Sequence, residues 1–448
     1  MSSIAKYTFG LICIAVALLC SCEKNDYISD SDVMLKFSLD ELNFDTIFAP
    51  LGSTTYQLTV HNRSNTNLKI DQVMLLRGAA SPFVMNVDGR SGVSIDNVKL
   101  AKKDSMYIFV EVKQNQALLN IDSILFKLGA SKQYLLVKSY GQECIVISDS
   151  VLPNNYTFTS EKPYLIVKTT SVAMGNSANI ADSATLYFGK NCGLNVHGTL
   201  LITGTSESRA RLTYIRANEE WYANLSSQWN GLYFSSTSTN NAITFAEISG
   251  AANAIVVEDT LQLNTAQVQL KINNTIVKHA NIGLQSNGAY LQIANSLFAS
   301  ASRNALLLKG GTYQVYNSTI GSPYSRFVEL VSLSNGKYPL ANSLFAGCII
   351  YGNNQTELNI ESGLNSYTFD HCILKLSSSF NTSDTSHYKS IYRDNPNFVN
   401  ALKDDFHLKS DSPAIGIGTN EISALYPLDL DGNYRSSNDV GAYTYKPK

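Results

Sequence analysis

The sequence predicts an all-β protein in which a sandwich of short strands precedes a long stack of repeated β coils. Three observations support this prediction: the composition, an alternation of apolar and polar residues in the first third, and an internal repeat later. Charged residues form only 16% of the 448 residues, with a formal net charge of −2. β-Branched, aromatic and turn-forming residues dominate instead, and no extended stretch favours helix. The low charge, with no basic block after the first residues, argues against nucleic-acid binding.

Residues 1–21 have the pattern of a secretory signal peptide. Lys6 precedes an apolar run from Phe9 to Leu19, which is too short to span a bilayer and ends at small residues. The string "LCSC" resembles a bacterial lipobox, which implies lipidation of Cys22 and a membrane as partner. Each buried acyl methylene would contribute about 0.8 kcal/mol to anchoring. The alternative is ordinary cleavage that leaves a free cysteine.

Residues 22–34 contain "EKNDYISDSD" and predict an acidic, flexible tether. Similar acidic stretches behind the lipid cysteine direct lipoproteins to the cell surface in some Gram-negative envelopes. The resemblance implies an outer-membrane protein exposed at the cell surface. A plain solvated linker is the alternative.

Residues 35–148 predict an Ig-like β-sandwich. Apolar residues alternate with polar ones in "TYQLTVHN" and "MYIFVEVK", and turn clusters such as "NRSNTN" and "DGRSG" separate these runs. Several short strands over such a length are typical of a sandwich. The stretch also resembles the Ig-like modules that precede larger domains in envelope proteins.

Residues 149–448 predict stacked coils because a phrase recurs. An apolar residue, then Asn two places later, then Ser or Thr, appears around Asn274, Asn295, Asn317 and Asn342, with Asp370 as a fifth member. The steps are 21, 22, 25 and 28 residues, a spacing and composition typical of a right-handed parallel β-helix. Asn tolerates the left-handed backbone of a bend, and its side chains are expected to bond along the column.

The C-terminal motifs carry a family resemblance. The strings "DNPNF", "DFHL", "SPAI", "DLDG" and "DVGAY" resemble the ending of right-handed β-helix proteins of the pectin-lyase-like group, and "GLNVHGTLLITGT" resembles their early coils. The resemblance implies a C-terminal cap over about 391–448. It leaves activity open, because the group contains lyases, hydrolases and proteins without known chemistry.

Catalytic and metal sites receive little support. Lyases of this kind need a basic residue with carboxylates that hold Ca²⁺, and hydrolases need clustered carboxylates. Carboxylates are sparse in residues 240–380 and none is expected to pair one coil apart, so no catalytic residue and no cofactor is predicted. Lys278–His279 fits a solvated face better than a base. The string "DLDGN" places Asp429, Asp431 and Asn433 like the start of a Ca²⁺ loop, but a tight turn fits better, and Arg435 is expected to pair with Asp439.

The loop "ANEEWYANLSSQWNGLYF" is the strongest candidate binding element. Glu219, Glu220, Trp221 and Tyr222 interrupt the coil pattern, and exposed aromatics commonly contact sugars or proteins. The alternative is a loop that folds its aromatics over a coil. Trp229 follows the coil pattern and is expected to pack inside.

Together these features favour a non-enzymatic, lipid-anchored envelope protein that binds a glycan or protein through its β-helix. A polysaccharide lyase or hydrolase, or a degenerate relative, is the first alternative. It would be favoured by a row of carboxylates and arginines along one β-helix face. An accessory subunit of an outer-membrane protein complex is the second alternative, favoured by an exposed apolar patch on the sandwich.

Overall fold

The computed structural model describes residues 26–48, 55–113, 119–218, 222–261, 266–324, 327–435 and 437–447. Two compact units divide between Glu143 and Cys144. The first is a β-sandwich and the second a parallel β-helix, which confirms the predicted fold class. The described α-helix is α1 (Asn420–Leu425). Within the described ranges, no helix has the length and apolar character needed to cross a membrane. The predicted signal peptide and Cys22 lie outside the described residues.

Two five-stranded sheets form the sandwich. The alternation read from the sequence places every second side chain between the sheets, so Leu58, Ile108 and Phe126 are fully buried. The strands are β1 (Lys36–Phe37), β2 (Glu41–Phe48), β3 (Tyr56–His61), β4 (Leu68–Leu75), β5 (Phe83–Val87), β6 (Arg90–Gly92), β7 (Ser94–Leu100), β8 (Ser105–Val112), β9 (Leu119–Leu128) and β10 (Ser131–Gln142). Their order is β1-β3-β8-β5-β6 in one sheet and β2-β10-β9-β4-β7 in the other.

The N-terminal segment from residue 28 is bonded to the sandwich, so the flexible tether predicted over 22–34 is wrong for this described part. The segment lies beside the start of β4, which β9 does not reach. Backbone groups of the segment and the side chain of Ser29 bond to the sandwich there. The contacts are Ile28 N to Asn67 O (3.1 Å), Lys69 N to Ile28 O (2.8 Å), Ser29 Oγ to Asp71 Oδ2 (2.6 Å), Gly129 N to Ser29 Oγ (2.7 Å) and Leu35 N to Gln133 Oε1 (2.9 Å).

Three parallel walls form the β-helix. Wall 1 comprises β12 (Tyr156–Phe158), β15 (Ser177–Ala181), β18 (Thr199–Thr203), β21 (Asn241–Thr244), β24 (Leu270–Asn273), β27 (Tyr290–Ala294), β30 (Thr312–Tyr316) and β33 (Ser343–Ala346). Wall 2 comprises β11 (Ile145–Ile147), β13 (Tyr164–Ile166), β16 (Thr185–Phe188), β19 (Ala210–Tyr214), β22 (Ala246–Ser249), β25 (Ile276–Lys278), β28 (Leu297–Ala299), β31 (Thr319–Ser322) and β34 (Ile349–Gly352). Wall 3 comprises β14 (Thr170–Val172), β17 (Gly193–Val196), β20 (Gly231–Phe234), β23 (Asn253–Glu258), β26 (Ile282–Asn287), β29 (Leu306–Lys309), β32 (Val331–Ser334) and β35 (Leu358–Ile360). Two strands, β36 (Tyr367–Leu374) and β37 (Tyr388–Tyr392), pass from wall 1 into wall 2, and β38 (Phe398–Asn400) pairs antiparallel with β39 (Asp405–Leu408).

The bend between walls 1 and 2 is a column of left-handed residues. Its members are Phe245, Asn274, Asn295, Asn317, Gly347 and His371, with φ between 41° and 65°. The prediction that Asn342 and Asp370 belong to this column is wrong, because the strand register aligns Gly347 and His371 with Asn317. The long excursion before β33 shifted the phrase, and Asn342 serves a different bend at the start of that strand.

A ladder of small polar side chains follows the bend inside the β-helix. Ser296 Oγ donates to Ala294 O at 2.8 Å and accepts the Thr275 backbone N–H at 3.2 Å. Ser318 Oγ repeats both contacts one coil further on. Cys348 and Cys372 continue the ladder as buried free thiols, with Cys348 N 3.4 Å from Cys372 Sγ. The Ser or Thr of the repeated phrase is therefore an internal hydrogen-bonding position.

The C-terminal segment (residues 398–435 and 437–445) lies along the outward face of wall 2, whereas the sequence predicted a cap over about 391–448. Outward side chains such as Leu297 and Ile349 are buried beneath Phe406 and Val440. Two of the bend asparagines, Asn274 and Asn295, bond to this segment instead of to each other along the column. Asn274 Nδ2 donates to Asp429 O at 2.5 Å, and Asn295 Oδ1 accepts from Arg435 at 2.8 Å.

Candidate functional site

The outward side chains of wall 2 change character along the stack. One row in register contains Thr185, Arg211, Glu247, Ile276, Leu297, Thr319, Ile349 and Ile373. The later members are mostly apolar and lie in the part of the wall that the C-terminal segment covers. The earlier members are polar and charged, and they face an open depression.

This depression is the flank cleft, a pair of cavities of about 160 Å³ and 760 Å³ that meet at Asn224, Lys278 and His279. Its floor crosses the coils of β16, β19, β22, β25 and β28. The smaller cavity is lined by Thr185, Tyr187, Arg211, Thr213, Tyr214, Ala217, Asn218, Asn224, Glu247, Ser249, Gly250, Lys278 and His279. The larger cavity is lined by Asn224, Lys278, His279, Ser300, Ala301, Ser302, Tyr324, Phe327, Leu402, Lys403 and Asp404.

An ion pair lies at the centre of the floor. Lys278 Nζ is 2.8 Å from Glu247 Oε1, and both side chains are about three-quarters buried. Burial opposes ionisation of Glu247, but Lys278, together with Arg211 and Arg209, outweighs burial and lowers the pKa of this carboxyl. Glu247 is therefore a carboxylate at neutral pH. It can accept hydrogen bonds from a ligand while Lys278 donates them.

A contact between His279 and Asp404 joins the β-helix to the C-terminal segment. His279 Nε2 lies 2.7 Å from Asp404 Oδ2, and Ser300 Oγ donates to Asp404 Oδ1 at 2.6 Å. Burial raises the pKa of Asp404, but the bonds from His279 and Ser300 reverse this and lower it overall. His279 and Ser300 occupy left-handed bends of successive coils, which aims both side chains at the same carboxylate.

Aromatic side chains form the outer edge of the larger cavity. Tyr324 is 55% exposed and Phe327 is 95% exposed. Tyr324 Oη donates to Leu402 O at 2.9 Å, which fixes this edge against the C-terminal segment. The ring of Phe327 is presented to solvent beside a polar cleft, so its apolar face is available for contact with a ligand.

The predicted binding loop borders the cleft only in part. Glu219, Glu220 and Trp221 lie outside the described residues. Tyr222 is half-buried against the β-helix core, and the Arg216 guanidinium lies 3.2 Å from its ring centroid. The phenol of Tyr214 donates to the Tyr222 carbonyl. The ring of Tyr222 therefore packs within the loop and against the β-helix core. Asn224 follows it in this loop and lines the cleft.

Asp429, Asp431, Arg435 and Trp229, which were also singled out in the sequence, make contacts within the fold. Asp429 Oδ1 accepts the backbone N–H groups of Asp431 (3.0 Å) and Asn433 (2.8 Å), the geometry of a tight turn. Asp431 instead bonds to His407 at 2.8 Å. Arg435 donates to the backbone oxygen of Asp439 at 3.1 Å rather than to its carboxylate. Trp229 is buried and stacks on Phe188 with ring centroids 4.1 Å apart, as expected from its coil pattern.

Sequence reasoning missed the Arg211–Glu247 alignment and the ion pair to Lys278. The bend one coil before Asn274 is made by Phe245, so the Asn-based phrase stopped there and left the upstream coils unaligned. A repeat defined by the flanking apolar residues would have placed Arg211 beside Glu247.

The fold and the cleft together define a class: an all-β protein with a sandwich unit and a β-helix unit that bears a charged, aromatic-edged cleft on its flank. No protein-family model matches the chain, and no curated protein matches it. Among solved structures, the chain is similar to the "ASH / PapD-like domain of human CEP192 (PapD-like domain 7)", with 9% identity and a TM-score of 0.19. That similarity covers 27% of this chain and 92% of that chain.

Proposed function

We propose that the protein is a lipid-anchored protein of the cell envelope, exposed at the outer-membrane surface, that binds a polysaccharide in the flank cleft. The observation that carries this proposal is the cleft itself. It combines hydrogen-bond acceptors, donors and an exposed aromatic edge over consecutive coils. The anchor at Cys22 is supported by the lipobox-like string alone.

The repeat geometry favours an extended ligand. Successive coils are separated by about 4.8 Å, the spacing of neighbouring strands. A polymer that lies along the stack therefore meets a new outward side chain at each step. Thr213, Ser249 and Lys278 occupy such successive steps, and Ser249 Oγ already bonds to Thr213 Oγ1 at 3.0 Å. Hydroxyl groups in this arrangement suit the hydroxyls of a carbohydrate chain.

The protonation of the cleft supports binding rather than hydrolysis. A general acid for glycoside cleavage must carry a proton and therefore needs a raised pKa. The pKa values of Glu247 and Asp404 are both lowered, so both are ionised at neutral pH. A polysaccharide lyase or hydrolase would nonetheless use an aligned basic residue and carboxylate such as Arg211 and Glu247. The binding assay therefore includes a measurement of released oligosaccharide.

The test is a screen of neutral and uronate-containing polysaccharides followed by titration of the tightest binder. Lys278→Gln removes a charged donor from the floor and is expected to weaken binding about tenfold. Phe327→Ala removes the exposed ring and is expected to weaken binding about fivefold. Lys271→Gln is the matched control, because Lys271 lies exposed on wall 1 of the same coil as Lys278.

If all three variants bind the polysaccharide as tightly as the unmodified chain, the ligand binds elsewhere and the cleft is not the binding site. Absence of binding to every polysaccharide would reject the glycan proposal. Release of oligosaccharide, abolished by Glu247→Gln, would replace binding with catalysis.

A second function has one specific observation in its favour. The outward face of β9 and β10 exposes apolar side chains with Leu119 opposite Tyr140. The exposed set is Leu119, Ile121, Tyr134, Leu136 and Tyr140, between 39% and 60% exposed. Such a patch favours an accessory subunit docked on a membrane protein. Loss of a defined co-purifying subunit in Ile121→Glu, with glycan binding intact, would support it; an unchanged complex would reject it.

A further inference from the structure

The end of the sandwich where the chain enters is unusually basic. Turns 62–67 and 101–104 lie together there, tied by Asn62, whose Nδ2 donates to Thr66 O and Ala101 O. Exposed cations surround this tip on both sheets: Lys36, Arg63, Lys99, Lys102 and Lys103. These five residues are named the basic tip. Lys36 reaches it because it pairs with His61 at the end of β3.

The acidic residues nearby do not neutralise the tip. Asp104 and Asp26 are exposed there, and Asp104 accepts the neighbouring Ser105 N–H at 2.7 Å. Asp71 lies one step along the sheet, bonded to Ser29 and 3.7 Å from Lys69. Asp30 and Asp32 flank Ser31, whose Oγ accepts the Ala130 N–H at the β9–β10 turn, where Lys127 and Lys132 add positive charge. The tip therefore keeps a net positive charge.

The docked N-terminal segment fixes which end faces the predicted anchor. Ile28 is bonded to Asn67 and Lys69 beside the tip, and the Tyr27 ring centroid lies 5.3 Å from Lys99 Nζ. Six residue steps separate Cys22 from Ile28, a reach of about 20 Å at full extension. A lipid on Cys22 would thus hold the basic tip within a short distance of the membrane. The chain leaves β10 at Gln142, the strand end opposite to this tip.

We infer that the basic tip is a membrane-contact surface that recognises the anionic phosphate groups of a lipid surface and orients the sandwich upright on it. This inference rests on the anchor in the proposed function for its geometry, but not on the glycan cleft. Each Lys or Arg close to an anionic membrane strengthens binding about fivefold. The attraction falls off within the Debye length of about 8 Å at physiological salt. A connection of at most about 20 Å allows the tip to approach the membrane within that distance.

The experiment uses residues 23–448, which carry no lipid, with sedimented vesicles of phosphatidylcholine alone or mixed with phosphatidylglycerol. The unmodified chain is expected to bind the mixed vesicles and to be released by salt. The variant Arg63→Gln, Lys99→Gln, Lys103→Gln is expected to bind about a hundredfold more weakly, since three cations are lost. A matched variant, Lys168→Gln, Lys190→Gln, Lys389→Gln, removes three exposed cations of the β-helix and is expected to bind normally.

Equal binding to both kinds of vesicle, or equal loss in the two triple variants, would overturn the inference. Release by inorganic phosphate at constant ionic strength would indicate a phosphate pocket in place of a surface contact and would also overturn it. Unchanged thermal unfolding of both triple variants excludes misfolding as the cause. Because the assay needs neither Cys22 lipidation nor a glycan, its failure is distinguishable from failure of the proposed function.

Discussion

Arg435 provides the sharpest test of how the C-terminal segment is held on wall 2. Its guanidinium donates to Asn295 Oδ1 and Gly441 O at 2.8 Å and to Asp439 O at 3.1 Å. Burial lowers the pKa of Arg435 to about 10, so the group remains charged at neutral pH. The substitution Arg435→Met keeps the apolar stem and removes every donor.

The expected cost follows from the acceptors that lose their donor. A buried acceptor without a partner costs about 1–3 kcal/mol, and loss of one partner of a buried charged network costs about 3–5 kcal/mol. Asn295 is buried beneath the segment and Gly441 is buried within it, so water cannot replace the lost bonds without opening the segment. We expect the opening free energy of the C-terminal segment to fall by about 3–5 kcal/mol.

Native-state hydrogen exchange measures this opening directly, because local and global unfolding are separated amide by amide. The reporters are the backbone N–H groups of Leu430, Val440 and Gly441, which donate to Ala442 O, Ala414 O and Gly347 O. Arg393→Met is the matched control. Arg393 also bonds to two carbonyls, Ser377 O and Phe380 O, but it is exposed, so its loss should cost no more than about 1 kcal/mol. Opening free energies in Arg435→Met that fall by less than about 1 kcal/mol would refute this account of the segment.

Three further predictions concern the ladder, the C-terminal segment and the anchor. Ser296→Ala removes a buried ladder hydroxyl and should lower the free energy of unfolding by about 1–3 kcal/mol in denaturant titration, whereas exposed Ser302→Ala should change it little. The bond from Asp431 raises the pKa of His407 from 6.5 to about 9; burial opposes this shift and the bond from Asp405 adds to it. Protonated His407 therefore stabilises the folded state fully below pH 6.5, and this stabilisation is lost as pH rises through about 9. The Tm of the unmodified chain should fall over that range relative to His407→Gln; parallel curves would contradict this. Cys22→Ala should abolish metabolic labelling with palmitate and release the protein from membranes, and persistent labelling would reject the anchor.

Local signals predicted much of the architecture. Period-two alternation located the sandwich strands, because one face of each strand is buried whatever its partners are. The recurrence of Asn before Ser or Thr located the bend, since few residues other than Asn and Gly tolerate a left-handed backbone. The same rule failed at Gly347 and His371, where long excursions and substitutions hid the register.

Local sequence patterns could not predict the cleft, because the side chains that line it come from different coils. Glu247 and Lys278 are each unremarkable in sequence, and they meet only because β22 and β25 pair in register. Asp404 joins them from the C-terminal segment, more than a hundred residues further along the chain, through its contact with His279.

The sequence by itself determined the two β units, the bends at Asn274, Asn295 and Asn317, and the buried face of each strand, because these depend on neighbouring residues and on backbone sterics. Only the tertiary structure decided that the C-terminal segment lies along wall 2 and that residues from 28 onward dock on the sandwich. Both depend on which outward surface accepts a distant segment. The apolar row from Ile276 onward was buried by that choice, while Arg211 and Glu247 were left open to form the cleft.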